Sequence, residues 1–385
     1  MRKLAVLLAL AALAGALFWY FAARLVDRAL NRTGPFSADQ ASPGARELAK
    51  GLRIADLHAD SLLWGRDLNL RADHGHVDVP RLLEAHVALQ AFTVVTRTPR
   101  WMKLEGNDDG ADNIALLAAA AGWPEGVRDS LKARALWQAD RLHEAARASG
   151  GRLVVVRSRL DLEGLLASRE RDPRVVGGLL GFEGAQALEG DLKNLDALYD
   201  AGFRMGAPTH FTDTAVGGSA HGLSLAGLSP LGLAWLKRME EKRMLVDLAH
   251  ASPAAIADVL SRATRPVLVS HTGVNGTCDN PRNLSDDQLR GVAKTGGVVG
   301  VAYFRAATCG DDPAAIARAV VHAVRVVGAE HVALGSDFDG AVKTPFDTTG
   351  LPLLIDALLA QGLSEAQLKQ VMGESALRVL REALP

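Results

Sequence analysis

The sequence predicts an α/β fold of the (β/α)8 barrel type, and three observations support this prediction. From residue 52 onwards, eight short apolar runs alternate with segments in which apolar residues recur at helical spacing. The runs are continuously apolar, as parallel strands covered on both faces are. The region is also long enough, since such barrels take roughly 250 residues. An open doubly wound sheet is the alternative fold that the same alternation allows.

The apolar runs can be assigned to strands in chain order. The eight predicted strands are Arg53–Leu57, Ala88–Val95, Gly178–Phe182, Arg204–Thr209, Met244–Leu248, Pro266–Ser270, Gly297–Tyr303 and His331–Gly335. Leu153–Val156 is predicted as an extra short strand. Helical patterns such as Asn194–Ala201 and Pro313–Val327 separate them.

One pair of neighbouring strands shows the pattern most clearly. Met244–Leu248 is followed by His250, and Pro266–Ser270 is followed by His271. The segment between them begins with a serine and a proline, a combination typical of a helix N-terminus. We therefore expect a strand, a helix and a strand, with both histidines at strand C-termini. In parallel α/β folds this is the end at which chemistry is placed.

The N-terminus is predicted to lie outside the barrel. Leu4–Ala23 is an uncharged, largely apolar run, and a helix of that length spans about 30 Å, the thickness of a bilayer core. We expect residues 1–30 to be an uncleaved membrane anchor, with a cleaved signal sequence as the alternative. Residues 31–51 contain several Gly, Pro and Ser residues and are predicted as a linker. The catalytic domain is then residues 52–385.

Composition excludes one class of partner and leaves the cysteines open. The net charge of −1 and the aromatic content of 5% give no footprint for nucleic acid, so we expect no nucleic-acid partner. The two cysteines, Cys278 and Cys309, are too few for a disulfide scaffold and lack the close spacing of a zinc knuckle. Taken alone, they are compatible with two buried thiols.

Polar residues that can bind metal follow six of the predicted strands. They are His58, Asp60, Glu183, His210, His250, His271 and Asp337. Packing alone would favour Val, Ile or Thr at these places, and buried carboxylates need cations to offset their desolvation. Imidazole and carboxylate without thiolate suit a catalytic Zn²⁺. The set exceeds one tetrahedral site, so the sequence predicts two metals bridged by a carboxylate and a hydroxide, and hence a hydrolase.

The motifs at these strand ends resemble those of a known family. His-Ala-Asp follows the first strand, Gly-Phe-Glu-Gly and Ala-Pro-Thr-His follow later ones, and the run from Gly227 to Asp287 and the segment GSDFDG complete the pattern. The chain is similar over about residues 52–380 to the membrane dipeptidases, renal dipeptidase-like zinc peptidases. The resemblance implies an amidohydrolase-like barrel that hydrolyses the amide bond of a dipeptide at a two-zinc site.

The resemblance also implies a role for each residue. His58 and Asp60 would bind one zinc, Glu183 would bridge, and His250 and His271 would bind the other. His210 would polarise the scissile carbonyl and stabilise the oxyanion, Arg282 would hold the substrate carboxylate, and Asp337 would carry the proton. Cys278 and Cys309 would form a disulfide, which requires an oxidising compartment and agrees with an exported domain tethered by residues 4–23. The resemblance also allows a homodimer.

Two other functions and several other residues stay open at this point. A related barrel amidohydrolase acting on N-acyl amino acids, lactones or lactams would use the same metals, and a non-catalytic membrane-tethered binding protein is the alternative of another class. Asp339 shares a strand face with Asp337 and is the alternative proton carrier. Asp247 is expected behind the ligands, and His221 in a loop at the cleft. His74, His76 and Asp78 are expected to shape a turn.

Overall fold

The structure is a computed structural model that describes Gly15 and residues 21–385. Nine parallel strands form its sheet. They are β1 Ile54–Ala59, β2 Val87–Val95, β3 Leu153–Val155, β4 Val176–Glu183, β5 Phe203–Gly206, β6 Leu245–Val246, β7 Leu268–Thr272, β8 Val298–Val301 and β9 Val332–Leu334. Each of the nine predicted strands overlaps one of these, with bounds that differ by a few residues.

The order of the strands is consistent with a barrel. Hydrogen-bonded neighbours follow the order β6-β5-β4-β2-β1-β9-β8-β7, and β3 pairs with β4 outside this path. The two end strands also meet, because Asp247 forms a parallel bridge with Leu268. The backbone N–H of Leu248 donates to the Leu268 carbonyl at 2.8 Å. The α/β fold is thus confirmed, and the contact between β6 and β7 favours the (β/α)8 arrangement over an open sheet.

Helices connect and cover the strands. They are α1 (residues 21–30), α2 Pro43–Lys50, α3 Val79–Glu84, α4 Asn113–Ala120, α5 Glu125–Arg128, α6 Leu131–Ala148, α7 Arg159–Arg171, α8 Lys193–Asp200, α9 Pro230–Glu241, α10 Pro253–Leu260, α11 Asp286–Lys294, α12 Arg305–Thr308, α13 Pro313–Val327, α14 Leu351–Ala360, α15 Glu365–Lys369 and α16 Ser375–Ala383. Between β6 and β7, α10 begins as predicted, because the Ser252 hydroxyl accepts from the Ala255 N–H and a proline follows. Ile256 and Val259 of this helix are buried in the core.

The expected linker at residues 31–51 is instead part of the folded domain. Ala45 and Ala49 of α2 are buried in the main hydrophobic cluster, and Thr33 forms a parallel bridge with Thr344. The Ser42 side chain accepts from the Ala45 N–H and donates to Asp356 on α14. The linker prediction was wrong because the Ser-Pro pair that suggested flexibility is a helix start.

The N-terminal apolar run falls mostly outside the described residues. Of residues 4–23, only Gly15 and residues 21–23 are described. Within Gly15 and residues 21–385, no helix is both long and apolar enough to cross a bilayer. The described end of the N-terminal segment, α1, lies against the barrel, since Asp27 is only 2% exposed and its carboxylate pairs with Arg66 at 3.0 Å.

The side chain of Asp247 joins the ends of β6 and β7, and this predicts an effect on stability. The buried Asp247 carboxylate accepts the N–H groups of Ser270 at 2.8 Å and Ala249 at 3.0 Å. Asp247→Ala should lower the free energy of unfolding by about 3 kcal/mol, because both buried donors lose their acceptor. Asp247→Asn keeps one oxygen and should lose roughly 1 kcal/mol. Equal urea midpoints for wild type and the alanine variant would show that this carboxylate does not hold the two strands together.

Candidate metal centre

The predicted metal-binding residues converge at the C-terminal end of the barrel strands. His58 lies in β1, Glu183 ends β4 and His271 lies in β7, while the others follow β1, β5, β6 and β9 within four residues. Their ligand atoms fall into three overlapping groups that could each hold an ion: His58, Glu183 and His271; Glu183, His210 and His250; and His58, Asp60 and Asp337. Every side chain in these groups is buried.

Glu183 is at the centre of this cluster. Its Oε1 lies 2.9 Å from His250 Nε2, 3.5 Å from His271 Nε2 and 3.6 Å from His58 Nε2. Its Oε2 lies 3.4 Å from His210 Nε2. The Nε2 atoms of His250 and His271 are 3.0 Å apart, so these two lone-pair positions aim at nearly one point. One carboxylate therefore contacts imidazoles from four strand ends.

Two further carboxylates lie near His58. The Nε2 atom of His58 is 3.6 Å from Asp60 Oδ1 and 3.8 Å from Asp337 Oδ1. These separations exceed a hydrogen bond, and this buried nitrogen has no hydrogen-bond partner among the residues that the structure describes. A buried polar atom surrounded by oxygens just beyond bonding distance fits a place where a cation supplies the missing contact. The donor set therefore fits the metal that the sequence predicted.

Electrostatics leads to the same conclusion. Burial and the charge of Asp60 raise the pKa of Glu183 well above its usual range, and burial raises the pKa of Asp337 to about 7. Burial lowers the pKa of His58, but the charges of Glu183 and Asp60 outweigh it and raise the value to about 10. Without a cation, these carboxylates raise one another's pKa and hold a proton on the imidazole, so the cluster takes up protons where a bound cation would otherwise balance its charge.

The three remaining imidazoles are held in the neutral form that binds metals. Burial, followed by the positive charges nearby, lowers the pKa of His210, His250 and His271 well below the usual histidine value. A neutral imidazole offers a lone pair on one nitrogen, so these side chains do not need to lose a proton before coordination.

Ser270 joins two of the candidate ligands behind the cluster. Its hydroxyl lies 2.9 Å from His58 Nδ1 and 3.0 Å from His271 Nδ1. Because the Nε2 atoms of both rings face the carboxylates, one hydroxyl fixes the orientation of both. The backbone is tightly packed here, since a Cβ at Gly335 would lie 1.9 Å from the Ser270 carbonyl oxygen. Ser270 was not among the site residues predicted from the sequence.

Two of the site residues have a backbone conformation that is costly for a side chain. His250 has φ of 62° and Asp337 has φ of 60°, in the left-handed region. Such conformations persist only where surrounding contacts enforce them, and they cluster at functional sites. Each turns the chain sharply just after a strand, which directs its side chain over the barrel mouth.

Arg282 lies beside the cluster on a loop that is held at both ends. Its side chain is 5% exposed, and Nη2 donates to the His271 carbonyl at 2.6 Å. Cys278 and Cys309 form a disulfide with a Cα–Cα distance of 5.3 Å. Asn283 donates to the carbonyls of Cys278 and Ala307, so the loop is tied to the segment after β8. The guanidinium therefore stays at the edge of the cluster, where burial lowers its pKa.

A cavity of about 410 Å³ opens onto the cluster. Its polar end includes Asp60, Glu183, Arg282 and Asp337, and the rest of its lining is mainly apolar. A volume of this size is at the lower end of what small-molecule sites occupy, so it suits a ligand of dipeptide size.

Asp339 is part of the fold rather than the cleft. It pairs with Arg66 at 2.8 Å and accepts from Ser61 at 2.6 Å and from the His76 backbone at 2.8 Å. These contacts, working against burial, keep the pKa of its carboxyl well below the usual range. A carboxylate with those partners is a poor proton acceptor, which leaves Asp337 as the acid–base candidate.

The turn residues have the structural role that the sequence predicted for them. Asp78 caps α3 by accepting from the Arg81 N–H, as the turn prediction required.

His221 was expected in a loop at the cleft and is more buried than a loop position suggests. It is 1% exposed, and its ring lies 5.0 Å from the His250 ring. Its Nδ1 bonds the Leu104 carbonyl. The glycine-rich sequence around His221 predicted a loop and gave no indication of this burial. The burial depends on the contact with Leu104, which is 117 residues away in the chain.

Comparison with known proteins decides the family. The sequence profile of the membrane dipeptidases, peptidase family M19, matches residues 43–384. The chain belongs to the membrane dipeptidase family. As a member it is a peptide-bond hydrolase. The match begins at the start of α2, which agrees with the packing of that helix in the core.

The relatives of this membrane dipeptidase match different shares of its chain. A Klebsiella pneumoniae protein described as an uncharacterized protein in the pqqA 5′ region is 34% identical over 248 residues, 60% of this chain and 90% of its own. The dipeptidase verJ of Clonostachys rogersoniana is 34% identical over 212 residues, 53% of this chain and 55% of its own. A metallo peptidase from Rhodobacter sphaeroides, solved with a phosphinate mimic of L-Ala-D-Ala, superposes with a TM-score of 0.71 at 25% identity, covering 86% of this chain and 99% of its own.

The contact of Ser270 with two imidazoles predicts an effect on metal affinity. Ser270→Ala should weaken binding of a divalent metal by roughly 10- to 100-fold, because both rings lose the group that orients them. Competition with a chelator measures this. Ser336→Ala is the matched control, since that buried hydroxyl donates to the His58 carbonyl at 3.0 Å and accepts from the Phe338 N–H instead of contacting an imidazole ring. If both variants bind metal equally well, Ser270 does not orient the ligands.

Proposed function

We propose that the protein is a zinc dipeptidase that cleaves dipeptides with a free C-terminal carboxylate at a two-metal site. The observation that carries the proposal is the position of Glu183, whose two oxygens contact imidazoles from several strand ends. A carboxylate shared between overlapping ligand groups suits a bridge between two ions. Histidine and carboxylate ligands without thiolate support zinc in a catalytic rather than a structural role.

The assignment of ligands is the one that the family resemblance implies. His58 and Asp60 would hold one ion, and His250 and His271, whose Nε2 atoms are 3.0 Å apart, would hold the other. Glu183, which belongs to two of the three ligand groups, would bridge them. Bound in this way, the ions would supply a water of lowered pKa and polarise the scissile carbonyl. His210, whose Nε2 lies 3.4 Å from Glu183 on the cavity side, would stabilise the negative charge that develops on the carbonyl oxygen.

Arg282 and Asp337 would act on the substrate itself. The buried guanidinium at the cavity wall would pair with the substrate carboxylate, for which its planar fork is suited. Asp337 would take the proton from the attacking water and pass it to the departing amine, since an amide anion is a poor leaving group. Its Oδ1 lies 3.8 Å from His58 Nε2 and its side chain lines the cavity, which supports this role.

We also propose that the catalytic domain lies outside the cytoplasm, tethered by residues 4–23 or secreted if that segment is cleaved. The Cys278–Cys309 disulfide supports an oxidising compartment, and the apolar run supports an anchor. The homodimer that the resemblance allows stays a prediction.

Metal analysis combined with a substrate panel tests the proposed function. The purified full chain should contain about two zinc ions and should hydrolyse free dipeptides. Amidated dipeptides should be much poorer substrates, because Arg282 then has no carboxylate to bind. N-acyl amino acids and lactones in the same panel distinguish a related amidohydrolase. Zinc-loaded protein that cleaves acylated substrates but no dipeptide, or nothing at all, would contradict the proposal.

A substitution at Asp337 separates proton transfer from metal binding. Asp337→Asn should retain the zinc content of the wild type and lower kcat by roughly 10²- to 10⁴-fold, because the amide cannot accept the proton. Glu183→Gln should lose zinc as well. Loss of zinc from Asp337→Asn would instead make this residue a ligand, and an unchanged kcat would make it structural. Metal content and kcat are both measured on each variant.

A further inference from the structure

Helix α1 lies outside the part of the chain that matches the family, yet it reaches the cleft. The family match begins at residue 43, whereas Val26 and Leu30 of α1 line the same cavity as Glu183 and Arg282. Both side chains are partly exposed, at 42% and 39%, so each has a free apolar surface at the barrel mouth. A segment that precedes the family domain therefore forms part of the wall of its active site.

Buried polar contacts fix α1 in this position. The Asp27 carboxylate pairs with Arg66 at 3.0 Å and with His74 at 3.1 Å. Asn31, just after the helix, donates to Asp27 and accepts the Ala341 N–H at 2.9 Å. A buried ion pair of this kind is costly to break, because each partner would be left without a counter-charge. The helix is thus held in a defined place above the cleft.

The same contacts connect α1 to the loop that carries Asp337. Arg66 bonds Asp27 and also pairs with Asp339 at 2.8 Å, two residues after Asp337. Ala341, which donates to Asn31, belongs to this loop as well. The position of Val26 and Leu30 relative to the reacting groups is therefore set by a short chain of polar contacts.

Val26 and Leu30 line the cavity together with other apolar side chains. These come from the segment after β1, from α4 and from the loop after β9: Leu63, Trp64, Ile114, Leu117 and Val342. Together with Val26 and Leu30 they form one wall, here called the apolar wall. An apolar surface that lines a cavity near a metal cluster gains free energy when an apolar ligand group covers it.

The apolar wall and Arg282 lie on different sides of the barrel mouth. The wall follows β1, β2 and β9, which are neighbours in the sheet, whereas Arg282 follows β7, separated from β1 by β8 and β9. With its carboxylate at Arg282 and its amide bond over the cluster, a dipeptide would direct its amino-terminal residue toward the apolar wall.

We infer that α1 is a specificity element of the active site, in which Val26 and Leu30 contact the side chain of the substrate's amino-terminal residue. This residue is then large and apolar in the preferred substrates. The inference rests on the proposed dipeptidase function and adds to it the substrate class and a part of the site that lies outside the family domain.

The test compares two dipeptides that differ only in that side chain. For the zinc-loaded full chain, kcat/KM is measured on Leu-Ala and Gly-Ala, with wild type and Leu30→Gln. A polar group at residue 30 should lower kcat/KM for Leu-Ala by about tenfold and change that for Gly-Ala by less than about twofold, because glycine has no side chain to bury there. Leu30→Met, which keeps the apolar surface, should restore the preference.

Further variants separate a specificity effect from damage to the helix. Leu25→Gln is the matched control, since Leu25 is on the same helix, is 55% exposed and does not line the cavity. Val26→Ser provides a second change at the wall and should also reduce the preference for Leu-Ala. If Leu30→Gln lowers both rates equally, or neither, while wild type is active, the inference fails and the dipeptidase function stands. Wild-type enzyme that cleaves neither peptide overturns both.

Discussion

The structure depends on one buried carboxylate, that of Glu183, held among imidazoles from four strand ends. Burying an unpaired carboxylate costs several kcal/mol, so the position is stable only with compensating positive charge. The charges of His58 and Arg282 lower the pKa of Glu183, but burial and the charge of Asp60 outweigh them and raise it. Without a metal the cluster is therefore neutralised by protons, and bound cations would take their place. This exchange of protons for cations is the physical reason why the cluster suits a metal centre.

The ligand side chains keep their positions only if the backbone that carries them is rigid. Buried carboxylates at the strand ends, which do not line the cavity, provide this rigidity by accepting backbone N–H groups. Asp247 accepts backbone N–H groups on two strand ends, and Asp56 accepts those of His58 and Ser336. These acceptors fix the backbone that carries the ligands, while Ser270 fixes two of the rings. The left-handed conformations of His250 and Asp337 are tolerated because the backbone on either side is held in this way. Ligand geometry is thus decided mainly by contacts behind the ligands.

The sequence predicted the parts of this arrangement that follow from strand position. Buried parallel strands are continuous apolar runs, so a histidine or carboxylate that ends one is conspicuous, and all seven such residues meet in the cluster. The parts that depend on distant contacts were not predicted. Ser270 touches a histidine 212 positions away, and nothing in its own neighbourhood marks it. Asp339 shares a strand face with Asp337 and stayed the alternative proton carrier in the sequence, and its contacts with Arg66, Ser61 and His76 exclude it from that role. The linker prediction failed because Ser-Pro both starts helices and occurs in flexible segments.

The position of α1 links the active site to the proposed anchor. Val26, which lines the cavity, is three residues after Ala23, the end of the apolar run, and three residues of helix rise about 4.5 Å. If residues 4–23 span a bilayer, as we propose, the cleft mouth lies within a few ångströms of its surface. Further large apolar side chains at the mouth, Met102 and Leu104, line the cavity while being 43% and 45% exposed. Apolar surface near a bilayer is shielded from water by it, which removes the usual cost of exposing such side chains. The proposed anchor and the apolar character of the cleft would then both follow from one placement of α1.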